Sequence, residues 1–175
     1  MIRIYIQELS TYNNAVPVGK WINVEDFESE IHSILEEATI VLKENGYHYG
    51  VDAEEFEIVD WECDEGINLD SIAQSIEKLQ ALNELLQELS QEEIEKLKFL
   101  FNYHGYDLQN IDSDTLQNVY TYNEWDEAVE EFIELYLEVP EESKVYNYID
   151  YQAIQRDLEI DGYIEYDNKI YTDFN

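Results

Sequence analysis

The sequence is poor in positive charge. Nine Lys and Arg stand against 42 Asp and Glu in 175 residues, a formal net charge of −33. A chain so short of Lys and Arg has little with which to neutralise phosphates, which argues against nucleic-acid binding. It argues equally against an anionic membrane surface. One cysteine, Cys63, excludes an intramolecular disulfide and fits a reducing cytoplasm. No apolar run approaches the roughly 18 residues of a membrane span. The opening MIRIYIQELS is broken by Arg3 and Gln7 and reads as a strand rather than a signal peptide. With two prolines, six glycines and no low-complexity stretch, the folded units should pack without flexible tethers.

Catalytic patterns are also missing. There is no G-x-G-x-x-G, no P-loop and no H-E-x-x-H. His32, His48 and His104 have no partner spacing, and each reads as structural or exposed. Cys63 lies beside Asp64, and an acidic neighbourhood disfavours the thiolate that a nucleophile needs. Asn110, Asp112 and Asp114 begin like a calcium loop. Thr115 then replaces the turn glycine, and Thr121 stands where the terminal Glu should be. Carboxylate pairs carry no glycosidase signal among so many acids. No enzyme activity, cofactor or metal is expected.

What the chain does have is apolar and aromatic content. Hydrophobic residues make up 45% and aromatics 14%, enough for a core that disordered acidic chains lack. Residues 3–9 alternate as a half-buried strand, 10–19 read as a loop, and 20–24 as a second strand. From about Glu25 to Glu44, Phe27, Ile31, Ile34, Leu35, Ala38, Val41 and Leu42 form a helical stripe that stops at Asn45-Gly46. Glu55 to Trp61 returns to alternation, with a shift of face before Trp61.

The middle, 69–104, has helical spacing from Leu69 through Leu89. It restarts at a capping box, Ser90 with Glu93, and ends at His104-Gly105. The last third is mixed. A helical turn is expected at 112–117 and a strand at 119–122. Asn123 should cap a helix with the stripe Trp125, Ala128, Val129, Phe132, Ile133 and Tyr136. Pro140 should open a turn. Asp150 should cap a helix carrying Ala153, Ile154, Leu158 and Ile160. Asp167-Asn168 should turn a hairpin. The expected fold is α+β in three small packed units: N-terminal α+β (1–62), central helical (63–105) and C-terminal α+β (106–175).

The charge is uneven. Residues 1–24 carry net +1, 25–62 carry −12, 63–105 carry −6 and 106–175 carry −16. On 124–138, Glu127, Glu131, Glu134 and Glu138 recur at helical spacing with no Lys or Arg between them. Like charges at i, i+4 destabilise a helix by tenths of a kcal/mol each, so the apolar stripe must hold it. Solubility needs a net charge of only about 2–8. A compact monomer of this mass exposes roughly 9,000 Å². That is about 270 Å² per net charge, against about 110 Å² on a duplex. Spread evenly, the charge is too dilute to imitate DNA; gathered on one face, it is not. At duplex linear density it would span about 55 Å, some 16 base pairs.

In three stretches, IYIQELSTYNNAVPVGKWINV (4–24), EFEIVDWE (55–62) and NYIDYQAIQRDLEIDG (147–162), the sequence resembles the ArdA antirestriction proteins. The resemblance implies a cytoplasmic protein of a mobile element such as a conjugative transposon or plasmid, elongated and in three domains. It further implies a homodimer joined through the C-terminal parts. Such a protein imitates bent B-form DNA in the binding groove of a type I restriction–modification enzyme, on its methyltransferase core. Restriction is blocked, and modification to a variable degree.

The acids expected to form the mimic surface are Glu124, Asp126, Glu127, Glu130, Glu131, Glu134, Glu138, Glu141 and Glu142, with Glu25, Glu28, Glu36 and Glu37 on the first helix. Asp150 and Asp157 are read as structural, the first as a cap and the second, or a nearby acid, as a partner for Arg156. Tyr146, Tyr148, Ile149 and Tyr151 are read mainly as core, with a share in a dimer contact as the second reading. The competing function is an acidic inhibitor or partner of another basic DNA-binding protein. A halophilic domain is a third possibility, and an enzyme a fourth.

Overall fold

The computed structural model describes residues 1–47, 53–140 and 142–173. The chain is mixed α+β, as expected, and divides into two compact units, Met1–Ile94 and Glu95–Asn175. The division falls inside the segment expected as a separate central unit.

The N-terminal unit is built on a three-stranded antiparallel sheet, β1 (Ile2–Glu8), β2 (Gly19–Asn23) and β3 (Phe56–Cys63), ordered β2-β1-β3. Ile2, Ile4 and Ile6 alternate along the central strand and are fully buried. They meet α2 (Phe27–Glu44), whose Phe27, Ile31, Ile34, Ala38 and Leu42 form the buried stripe. The face shift before Trp61 is a bulge: Tyr5 pairs with Asp60 and Ile6 with Ile58, so Val59 is the extra residue. Gly19 is required by crowding, because a Cβ there would sit 2.7 Å from the Tyr5 hydroxyl oxygen and 2.8 Å from the Ile6 carbonyl oxygen.

Two readings need correction in this unit. The expected loop after β1 contains a short helix, α1 (Leu9–Asn13). Its cap is Glu8, a fully buried carboxylate that accepts from the backbone N–H groups of Ser10 (3.0 Å) and Thr11 (2.6 Å). Glutamate is not a usual cap, so the signal was not visible. The continuous helix expected from Leu69 begins only at Ile76. Leu69, Ile72 and Ala73 are buried on a turn, and α3 (Ile76–Glu88) is capped by Ser75. Burial at i and i+3 suits a turn as well as a helix. The Ser90–Glu93 box does start α4 (Gln91–Phe99), with Ser90 N–H donating to Glu93 at 2.8 Å.

The C-terminal unit holds a second antiparallel sheet, β4 (Val119–Tyr122), β5 (Ile164–Tyr166) and β6 (Lys169–Asp173), ordered β4-β6-β5. The β5–β6 hairpin turns on Asp167 and Asn168 at φ +51° and +62°, the pair of left-handed residues a two-residue turn demands. A helical turn, α5 (Ser113–Gln117), is boxed by Asp112 and Thr115 and precedes β4. Helices α6 (Trp125–Phe132) and α7 (Tyr151–Ile160) pack together. Ala128, Val129, Ile133, Leu158, Tyr163 and Ile170 meet in their core. Phe99 stacks on Tyr171 with centroids 4.4 Å apart.

Candidate functional site

Helix α6 carries the densest charge. Its apolar stripe is anchored by Ala128 and Val129, each 1% exposed, and continues into Ile133. Asp126, Glu127, Glu130 and Glu131 are exposed and fall within about 140° of the helix circumference, opposite that stripe. Four charges on six residues of about 1.5 Å each make one per about 2.3 Å of axis, against roughly 1.7 Å on duplex DNA. No Lys or Arg lies between Glu124 and Glu138.

The start of this helix differs from the expected Asn123 cap. Glu124 occupies the cap position without a side-chain cap bond. The Asn123 N–H instead donates to Glu127 at 2.8 Å, and its side-chain amide adds bonds at 3.2 and 3.3 Å. Ionised oxygen is the stronger acceptor, so the carboxylate reaches back rather than the amide forward. The same bonds hold the Glu127 carboxyl below its ordinary range, the backbone N–H contributing most. Glu131 accepts from the Tyr122 hydroxyl at 3.2 Å. Burial raises the Tyr122 hydroxyl well above its ordinary range, with Tyr163 and Glu131 adding to it, so it remains a donor.

Beyond Phe132 the helix widens into a π-type turn, Ile133–Leu137, which ends on Glu138 at φ +50°. The extra residue rotates the stripe. Tyr136, expected inside, is 65% exposed, and Leu135 and Leu137 are also exposed. Glu134, Glu138 and Glu142 are exposed too. Glu130, Glu131, Glu134 and Glu142 surround a hollow of about 380 Å³ whose walls include Ile133, Val139 and Tyr146. Glu141 lies outside the described residues, as does His48.

The aromatic segment before α7 divides. Tyr146, Ile149 and Tyr151 pack against the core, as expected. Tyr148 does not: it is 87% exposed. Tyr146 and Tyr148 lie two residues apart in a single turn of three residues per turn, about 240° round it, so their rings face different sides. The Tyr146 and Tyr151 hydroxyls lie 2.9 Å apart. That bond pushes the Tyr151 hydroxyl far above its usual range, with smaller contributions from burial and from Glu130 and Asp126. Asp150 caps α7 by accepting from Ala153 N–H at 3.1 Å. Arg156 donates to the Gln152 carbonyl rather than to Asp157. Ile160, expected on the buried stripe, is 81% exposed because it sits in the last turn, past Leu158.

In the N-terminal unit, Glu28, Glu36 and Glu37 are exposed but spread over about 180° of α2, so they form no single line. Glu25 is exposed and tied internally, accepting from the side-chain amides of Asn83 (3.4 Å) and Gln87 (3.3 Å) on α3. Of the chain's few bases, Arg3, Lys20, Lys98 and Lys169 are ion-paired with Glu62, Glu30, Asp167 and Glu95.

A family model described as antirestriction protein (ArdA) matches residues 4–172. The chain belongs to the ArdA family. No curated protein matches it. Members of the family are antirestriction inhibitor proteins and not enzymes. Among the described residues no helix is long and apolar enough to cross a membrane.

Proposed function

We propose that this ArdA member inhibits type I restriction–modification enzymes by occupying the DNA-binding groove of their methyltransferase core. Carboxylates stand in for phosphates, and Lys and Arg of the groove pair with them. The observation that carries this reading is the outward face of α6, with one carboxylate per about 2.3 Å and no compensating base. Glu134, Glu138, Glu141 and Glu142 extend that face in sequence. Glu25, Glu28, Glu36 and Glu37 make a second acidic set in the other unit. The family resemblance supports a cytoplasmic homodimer from a mobile element, and exposed Leu135, Tyr136, Leu137 and Tyr148 in the C-terminal unit supply apolar surface that a dimer would cover.

Opposite charges steer encounter and make association sensitive to salt. The test is binding to a purified type I methyltransferase core across a salt series, with duplex DNA as competitor and sedimentation to fix the stoichiometry. Expected are mutual exclusion with DNA, a steep loss of affinity with salt, and a dimeric inhibitor. Affinity that barely changes with salt, or simultaneous binding with DNA, refutes the reading. An acidic inhibitor of another basic DNA-binding protein would show the salt dependence without binding the methyltransferase.

A further inference from the structure

A cleft of about 360 Å³ lies in the N-terminal unit, bordered by the first residues of α2, β3 and α3. Its floor is apolar, formed by Phe27, Phe56, Ile58 and Ile76. The Phe27 and Phe56 rings lie 5.5 Å apart between centroids and are inclined by 58°; Phe27 is buried, and the half-buried Phe56 offers the accessible aromatic surface. Glu28, Glu57 and Glu77 stand at the rim, exposed, and none is ion-paired among the described residues.

The remaining polar lining is informative. Gln74 donates its side-chain amide to the Ile58 carbonyl at 3.1 Å, and Gln80 donates to the Val24 carbonyl at 3.3 Å. Each bond takes up one of the two amide N–H donors, and the amide oxygens remain as acceptors. Ser75 donates its hydroxyl to Glu77. The cleft therefore combines an aromatic floor with carboxylates and acceptor oxygens.

That combination selects among cations. A lysine ammonium is compact and strongly hydrated, and gains little from an apolar floor. A guanidinium is planar, carries five N–H donors at its edge, and stacks its weakly hydrated faces on aromatic rings. We propose that this cleft receives an arginine side chain of the target enzyme. It would anchor the N-terminal unit at one point, whereas the carboxylates of α6 act through a distributed field. The proposal rests on the reading that the target presents a basic surface. It adds a concave, arginine-selective contact that an outward row of phosphate-like charges does not provide.

Two measurements test it. In the first, the isotope-labelled full chain is titrated with acetyl-arginine methylamide and, separately, acetyl-lysine methylamide, with amide chemical shifts as readout. Expected are shifts concentrated at Phe56, Ile58, Ile76 and Glu77, about threefold larger or more for arginine. Diffuse shifts of equal size for both cations overturn the proposal. This arm needs no target enzyme.

In the second, Glu57→Gln/Glu77→Gln is compared with Glu44→Gln/Glu88→Gln, which removes the same charge from the exposed C-terminal ends of α2 and α3, outside both the cleft and the acidic set proposed to imitate DNA. With thermal midpoints unchanged, the cleft pair should weaken binding to the methyltransferase core about tenfold or more, and the control pair less than about threefold. Equal losses overturn the arginine cleft while leaving the charge-mimic reading standing. No loss in either pair, together with salt-independent binding, overturns both.

Discussion

Neutralising the later half of the α6 face should raise stability and lower inhibition at once. The variant is Glu130→Gln/Glu134→Gln/Glu138→Gln. All three side chains are exposed, and among the described residues none accepts a hydrogen bond that holds the fold, unlike Glu127 and Glu131. In the free protein they repel one another and lie toward the negative end of the helix dipole. Removing them should stabilise the C-terminal unit by about 0.5–1 kcal/mol, a rise of a few degrees in its melting temperature. In the complex, each exposed carboxylate is worth about 0.5–1 kcal/mol against a basic groove. Three together are worth about 1.5–3 kcal/mol, or about 10- to 150-fold in Kd. The assay is displacement of labelled duplex from a purified type I methyltransferase core, beside a thermal melt of the same sample. Opposite signs exclude misfolding as the cause. Affinity within about twofold of the parent would show that this face makes no contact. A fall in melting temperature would refute the electrostatic account of the helix.

Two further outcomes concern the fold. Glu8→Ala leaves the Ser10 and Thr11 N–H groups without their acceptor, and Thr11 is fully buried. The loss of a cap and of buried hydrogen bonds should cost about 2–4 kcal/mol. Urea unfolding followed by Trp21 and Trp61 in a Trp125→Phe background reads it, and a change below about 0.5 kcal/mol refutes it. The second outcome is a pH dependence. Lys98 hydrogen-bonds Asp167 and holds its carboxyl below the ordinary value. A carboxyl depressed by folding stabilises above the unfolded pKa near 4, and the contribution is lost as pH falls through the lower folded value. Asp167→Asn keeps a residue that tolerates the positive φ of this turn. Its deficit in melting temperature relative to the parent should be larger at neutral pH than near pH 3; an equal deficit at both refutes the assignment.

Local patterns were legible where one principle acted alone. Ile2, Ile4 and Ile6 announced β1, the Phe27-to-Leu42 stripe announced α2, and Asp167-Asn168 announced a left-handed turn. Patterns failed where tertiary contacts decided. Leu69 and Ile72 have helical spacing, yet their burial is met by a turn. Tyr136 follows the α6 stripe by residue count, and a π-type turn carries it out to solvent. Glu8 reads as a surface acid, because nothing in the sequence says that two backbone N–H groups will meet it inside. The arginine cleft was invisible for the same reason. Phe27, Phe56 and Ile76 are far apart in the chain, and only the fold shows which backbone carbonyls Gln74 and Gln80 donate to.

The exposed area sharpens the charge argument. At 10943 Å² for −33, each net charge has about 330 Å², some threefold more than on duplex DNA. Under the proposed mimicry, resemblance to DNA is therefore local, and α6 is where it is strongest. That helix spends its two ends differently. Asp126 and Glu127 sit in its first turn, where the dipole favours them and Asn123 donates to Glu127. Glu134 and Glu138 sit past its last turn, where the dipole opposes them and no base offsets it. Stability alone would place Lys or Arg there. Their absence, with Val129 and Ile133 left to hold the helix from beneath, is what a charged surface kept for a basic partner requires.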